Sequence, residues 1–293
     1  MRFATIEGKK PVPCILSSDG KSVIPFSYVL SRPVESLDEF ICDHSESDLQ
    51  LLDSASLSEE GLPLDAVRLL APIPSARHDI LCVGVNYVAH LQETRTHFFA
   101  GKFEATESTI YFGKRARVIT GPDAPIPGHF DLDPWLDYEV ELAVVVGSRI
   151  DSSVGYEELP SKVFGYSVFN DISARRLQST RSQWYLGKSL DGYCVMGPWI
   201  VTPDELDINA GLDIESRVNG EVRQHSNTRL MRMNVWDLLY EISRGIVLES
   251  GDIIATGTPA GVGGGFTPPK YLACGDVVEM EIQGIGVLRN TIA

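Results

Sequence analysis

"DYEVELAVVVG", residues 137–147, decides how this chain is read. Two carboxylates spaced by one residue, Glu139 and Glu141, run into a purely apolar stretch, "LAVVV". A strand sends successive side chains to opposite faces, so the two glutamates share one face. The apolar continuation has the composition of a buried strand, which argues that the pair is not fully solvated. Two like charges held that close need solvent, a proton or a cation to offset their repulsion.

A third carboxylate, Asp171, stands at the end of the next strand-like run, "VFGYSVFND". Three carboxylates with no Cys or His nearby suit a hard divalent cation: Mg²⁺, Mn²⁺, or Ca²⁺ as a bound substitute. A solvated strand face is the plainer reading of a bare ExE, and spacing alone leaves both open. Further strand-like runs are "ILCVGV", "STIYFG", "GPWIVT", "LDIESRVNG", "GDIIATG" and "GDVVEMEIQGIGVL". Turn signals separate them, among them "NGE" at Asn219–Glu221, which reads as a hairpin turn. Helical spacing is confined to the segment after "GVNY" and to "MNVWDLLYEISRGIVL". The fold class expected is α+β and β-dominated, without βαβ alternation. The acidic, partly helical residues 1–72 read as a small N-terminal domain ending in a proline-bearing linker, "LLAPIPSARHD"; residues 73–293 read as the main, catalytic domain.

Composition narrows the function. Of 293 residues, 43% are apolar, enough for a substantial core. Lys and Arg number 25 against 40 Asp and Glu, a net charge of −15 that disfavours a nucleic-acid partner. Cys14, Cys42, Cys82, Cys194 and Cys274 are scattered, odd in number and without a CxxC pair, which fits a reducing cytoplasm. No window is apolar enough for a signal peptide or a bilayer span, so no membrane partner is expected.

Three further constellations bear chemistry. In "GVNYVAHLQET", His90 and Glu93 are three apart and would share a helix face. A carboxylate beside an imidazole fixes its tautomer and raises its basicity, as a water-activating base requires. In "SARRLQSTRSQWYLGKSLDGY", Arg175 and Gln178 could hold a substrate carboxylate, and Lys188 could balance a developing enolate. In "GDIIATGTPAGVGGG", a glycine-rich loop lacks the Lys-Ser/Thr ending of a P-loop, so Thr258 and its neighbours suit a small anion better than a nucleotide. Each also has an ordinary structural reading: a surface helix, scattered surface charge and a tight turn.

Taken in order, "GVNYVAH", "DYEVELAVVVG", "FGYSVFNDISAR", "GKSLDGYCVMGPWIV", "VNGEVRQHSNT", "LESGDIIATGTPAGVG" and "GDVVEMEIQGIGVLRNTI" resemble the fumarylacetoacetate hydrolase family over residues from about 80 to 293. The likeness is to bacterial acylpyruvase-like and 2-hydroxyhepta-2,4-diene-1,7-dioate isomerase-like members with a short N-terminal domain. It implies a mixed β-roll, usually homodimeric, cytoplasmic and often serving aromatic catabolism. It implies a divalent metal held by Glu139, Glu141 and Asp171, and a water-activating dyad of His90 and Glu93. Substrate contacts fall, by the same resemblance, to Arg175, Gln178, Lys188 and Thr258. Two departures stand out: Arg176 replaces a frequent acidic residue, and "LQETRTHFFAGKFEATEST" matches no lid of the family. Phe98, Phe99 and Phe103 in that segment hint at an apolar substrate tail.

The expected reaction is hydrolysis of a C–C bond in a 2,4-dioxo acid. His90, oriented by Glu93, activates water, and the metal and Lys188 stabilise the departing enolate. Decarboxylation of oxaloacetate and isomerisation of a 2-hydroxy-dienoate use the same enolate chemistry without a water nucleophile. A non-catalytic binder of small dicarboxylates is the reading from a different class.

Overall fold

Val140 to Val146 is buried at every position, because the strand it forms is covered on both sides. The computed structural model describes residues 1–57, 61–97 and 109–293; Phe98, Phe99 and Phe103 lie outside the described residues. The N-terminal strands are β1 (Arg2–Ile6), β2 (Val12–Leu16), β3 (Ser22–Pro25) and β4 (Leu62–Pro63). Next come β5 (Ile80–Gly84), β6 (Ile110–Lys114), β7 (Pro125–Ile126), β8 (Leu136–Asp137), β9 (Val140–Val146), β10 (Val163–Asp171) and β11 (Ser173–Ala174). The last are β12 (Cys194–Val201), β13 (Asp213–Val218), β14 (Glu221–Asn227), β15 (Ile253–Ala255), β16 (Val277–Ile282) and β17 (Gly286–Ile292). The helices are α1 (Leu37–Asp43), α2 (Glu46–Ser56), α3 (Val88–His97), α4 (Arg175–Ser179), α5 (Tyr185–Lys188) and α6 (Val235–Ser243). Short helices among many strands make this the β-dominated α+β fold that the alternation and turn signals predict.

Ten strands form one sheet in the order β4-β3-β2-β1-β12-β10-β9-β15-β5-β6. A five-stranded sheet runs β14-β13-β16-β17-β7, and β8 pairs with β11. Alternation along β9 explains its complete burial. Val140, Leu142, Val144 and Val146 enter a cluster shared with the five-stranded sheet and α6, through residues such as Ile214, Met280 and Leu239. Ala143 and Val145 enter a second cluster with Phe3, Phe40, Phe169 and Cys194. Each such fully buried aliphatic side chain contributes about 1.5–3 kcal/mol, so β9 can carry polar residues at its start and still be held in place.

Glu139 and Glu141 have the parity of Ala143 and Val145 and therefore sit on the second-cluster face. Register delivers Asp171 to them. Glu141 is opposite Phe169 in the antiparallel β9–β10 pair, and the Asp171 N–H donates to Glu139 O at 2.9 Å. Asp171, two residues past Phe169, emerges on the same face.

The N-terminal strands continue the large sheet: β1 pairs with β12, and Phe3 packs on Phe164 of β10 at 5.1 Å between ring centroids. Ala71 and Ile73 of the proline-bearing connection are buried. The "NGE" turn closes the β13–β14 hairpin with Asn219 and Gly220 both at positive φ, 51° and 80°. No described helix is long and apolar enough to cross a membrane.

Candidate active site

The strand pair brings Glu139, Glu141 and Asp171 together with one ligand oxygen from each lying within 4.8 Å of the others. All three are buried. Removing a carboxylate from water costs several kcal/mol, so each needs compensation close by. Glu139 and Asp171 receive it from the protein. Lys188 Nζ, at the end of α5, lies 2.8 Å from Glu139 Oε2 and 2.8 Å from Asp171 Oδ2. Arg175, at the start of α4, reaches Glu139 Oε1 at 2.6 Å, and Lys114, the last residue of β6, reaches Asp171 Oδ1 at 2.5 Å. Glu141 has a hydrogen bond from Gly257 N at 2.8 Å and, among the described residues, no ion-pair partner.

Proton affinities diverge accordingly. Burial pushes the Glu139 carboxyl up, but Lys188 and Arg175 outweigh it and hold the group well below the usual carboxylate range. At Glu141, burial, Asp171 and Glu139 all push the same way, and its carboxyl is raised well above that range. Burial lowers the Lys188 ammonium, yet Asp171 and Glu139 more than reverse this, so it stays charged. The repulsion that the ExE spacing poses is thus met twice over: by protein cations at Glu139 and by a raised proton affinity at Glu141.

The donor set fits a hard divalent cation. Four buried carboxylates (Asp137, Glu139, Glu141 and Asp171) meet three buried cations (Lys114, Arg175 and Lys188), and Glu141, the carboxyl without a protein cation, is the one whose proton affinity is raised. An all-oxygen cluster with one more carboxyl than cations suits Mg²⁺ or Mn²⁺ rather than a thiolate-seeking metal.

Helix α3 supplies the facing wall. The three-residue spacing places His90 Nδ1 2.8 Å from Glu93 Oε2, with His90 4% exposed. An imidazole whose Nδ1 donates to a carboxylate presents Nε2 as its acceptor nitrogen. A narrow cleft separates this helix from the cluster and is lined by His90, Glu139, Glu141, Arg175, Lys188 and Thr258, among others. Gln178 also lines it, one helical turn from Arg175, whose Nη1 donates to Gln178 Oε1 at 3.1 Å. Thr258 is tied to the strand: its hydroxyl donates to Val140 O at 2.9 Å and accepts from Gln224 Nε2 at 2.7 Å. Of the nine residues singled out from the sequence, seven line this space, Asp171 lies in the cluster beneath it, and Glu93 stands behind His90.

Sequence reasoning missed Asp137, Lys114 and Gln224. Asp137 could have been found, since it extends the alternation of Glu139 and Glu141 by one step. Lys114 and Gln224 carry no local signal; they reach the site only because β6 and β14 are folded against it.

Comparison with known proteins gives the family. The family described as fumarylacetoacetate (FAA) hydrolase, C-terminal, matches residues 79–293. Oxaloacetate tautomerase YisK of Bacillus subtilis (strain 168) is 42% identical over 229 residues, which is 78% of this chain and 74% of the relative. A fumarylacetoacetate hydrolase structure from Exiguobacterium antarcticum superposes with a TM-score of 0.84 at 40% identity, covering 100% of this chain and 99% of the other. The maleylpyruvate hydrolase of Sphingobium sp. SYK-6, solved with manganese (II) and pyruvate, gives a TM-score of 0.79 at 26% identity, with 100% and 99% covered. With the family match covering residues 79–293, the chain belongs to the fumarylacetoacetate hydrolase family.

Proposed function

We propose that this chain is a divalent-metal-dependent enzyme that moves a proton at the carbon beside the 2-oxo group of a small dicarboxylic acid, interconverting the keto and enol forms of oxaloacetate or a close analogue. The observation that carries this reading is the His90–Glu93 pair facing the Glu139, Glu141 and Asp171 cluster across one small cavity. The 42% identity to an oxaloacetate tautomerase supports the substrate class.

Glu139, Glu141 and Asp171 would hold the metal, which when bound would supply Lewis-acid polarisation of a 2-oxo group. The remaining roles belong to side chains. Arg175 and Gln178 orient a substrate carboxylate by charge-assisted hydrogen bonding. His90 Nε2 takes the proton from the carbon in the enol-forming direction and returns it to the carbon in the ketonising one. Glu93 fixes the imidazole tautomer and stabilises the imidazolium. Lys188 places a permanent positive charge where the oxygen gains negative charge.

Hydrolysis of an acylpyruvate is the second reading, favoured by the same dyad acting on water and by the likeness to a maleylpyruvate hydrolase. One experiment separates them. Metal-stripped protein is given Mg²⁺ or Mn²⁺ and offered enol-oxaloacetate, acetylpyruvate and fumarylpyruvate. Metal-dependent loss of the enol absorbance without pyruvate release supports the tautomerase. Cleavage of the acylpyruvates, abolished in His90→Ala, favours the hydrolase, and pyruvate from oxaloacetate alone makes the enzyme a decarboxylase.

A further inference from the structure

We infer that Asp137, the first residue of "DYEVELAVVVG", is a positioning residue that fixes the glycine-rich loop and, through that loop, the Glu93 carboxylate that orients His90. The inference rests on the reading that His90 and Glu93 are the working dyad.

Asp137 is fully buried and saturated with donors. Its Oδ2 accepts from Arg175 Nε at 2.8 Å and from Gly264 N at 3.0 Å. Its Oδ1 accepts from Gly263 N at 2.6 Å and from Tyr138 N at 2.9 Å. One carboxylate thus grips both the guanidinium that contacts Glu139 and the middle of the loop. The other end of that loop holds the dyad: Gly261 N donates to Glu93 Oε1 at 2.9 Å while Glu93 Oε2 faces His90. Tyr138, next to Asp137, reinforces the link by donating its hydroxyl to Gly261 O at 3.0 Å.

Loop composition agrees with this role. Gly261 has φ +104°, a conformation that L side chains rarely adopt. A Cβ at Gly265 would lie 2.0 Å from Glu93 Oε1, so Glu93 can occupy its seat only over a bare backbone. The tie therefore runs by hydrogen bonds from Asp137 to Gly263 and Gly264, along the covalent loop backbone to Gly261, and by hydrogen bonds again to Glu93 and His90. A carboxylate needed only to neutralise Arg175 would have no reason to hold the loop as well.

Asp137→Asn is the informative variant because it is nearly isosteric. Whichever way the amide is turned, its NH₂ confronts two donors, Arg175 Nε and Gly264 N on one side or Gly263 N and Tyr138 N on the other. Proton–nitrogen NMR of the histidine rings reads the outcome without any turnover assay, and His90→Ala assigns the His90 resonance among six histidines. In folded Asp137→Asn the His90 ring signal moves or is lost while the others stay, and kcat falls at least about tenfold with a smaller change in KM. A folded variant with the His90 signal unchanged overturns the proposal, whatever its kcat. If Asp137→Asn does not fold, Gly265→Ala decides: displacement of the His90 signal supports the loop as the seat of the dyad, and an unmoved signal overturns it. Absence of oxo-acid turnover by the wild type would sink the proposed function and leave this test intact.

Discussion

The two ends of the site are held in different ways. At the cluster end, Glu139 and Asp171 are placed by strand register and locked by Lys114, Arg175 and Lys188, all at 2.8 Å or less. At the dyad end, among the described residues, Glu93 accepts a backbone hydrogen bond from Gly261, and His90 is tied to Glu93. Interlocked buried ion pairs resist rearrangement because breaking one strands a charge in a medium of low polarity. A side-chain pair anchored by neutral backbone donors carries no such stranded charge, so its displacement costs the fold less. The cluster end is therefore expected to govern stability and metal binding together, and the dyad end to govern turnover alone.

Asp171→Asn should produce the largest effect. It leaves Lys114 and Lys188 short of their counter-charge, so unfolding free energy drops by about 3–5 kcal/mol and metal-dependent turnover disappears. Urea titration and a turnover assay on one preparation check both halves. A stable Asp171→Asn protein would break the comparison at its stronger end.

His90→Ala comes next and should separate the two properties. Turnover falls by about 10²–10⁴-fold while the unfolding midpoint and the Mn²⁺ affinity stay near the wild-type values. Loss of metal binding in this variant would show that the ends are not independent.

A finer contrast lies within the ExE pair. The Glu139 carboxyl is held below its ordinary value, so its stabilisation is complete at neutral pH and is lost only as pH falls toward that depressed value. The Glu141 carboxyl is raised, so its contribution is present in acid and is lost as pH rises from the ordinary 4.5 through the raised value. In chelator at pH 8, Glu139→Gln should therefore destabilise by about 3 kcal/mol or more, and Glu141→Gln should be neutral or stabilising. Adding Mg²⁺ or Mn²⁺ at a hundred times its dissociation constant should stabilise the wild type by about 2.7 kcal/mol and leave Glu141→Gln unmoved. Thermal melts with and without metal measure this directly.

Glu93→Gln should have the smallest effect, a loss in kcat of about tenfold with little change in stability. Its amide can still accept from Gly261 N but no longer stabilises an imidazolium. A loss as deep as that of His90→Ala would mean that orientation, rather than basicity, is the limiting contribution of the pair.

Much of this was legible along the chain. The i, i+2 spacing of Glu139 and Glu141 fixes a shared face because the period of a strand is two, and the "LAVVV" continuation announces burial. The i, i+3 spacing of His90 and Glu93 fixes a shared helix face for the same geometric reason. These are local consequences of backbone periodicity, so they survive without knowledge of the fold.

What only the tertiary structure decided is how the charges are shared. Lys114 lies on β6 and Asp171 on β10, strands at different places in one sheet, and no spacing in the sequence relates them. The placement of Lys188 between Glu139 and Asp171, the isolation of Glu141 and the reach of Asp137 to the glycine loop depend on distances between segments far apart in the chain. Electrostatic energy depends on separation in space and on burial, neither of which periodicity encodes; residue spacing could put two carboxylates on one face, and only the packed fold could say which of them has its proton affinity raised.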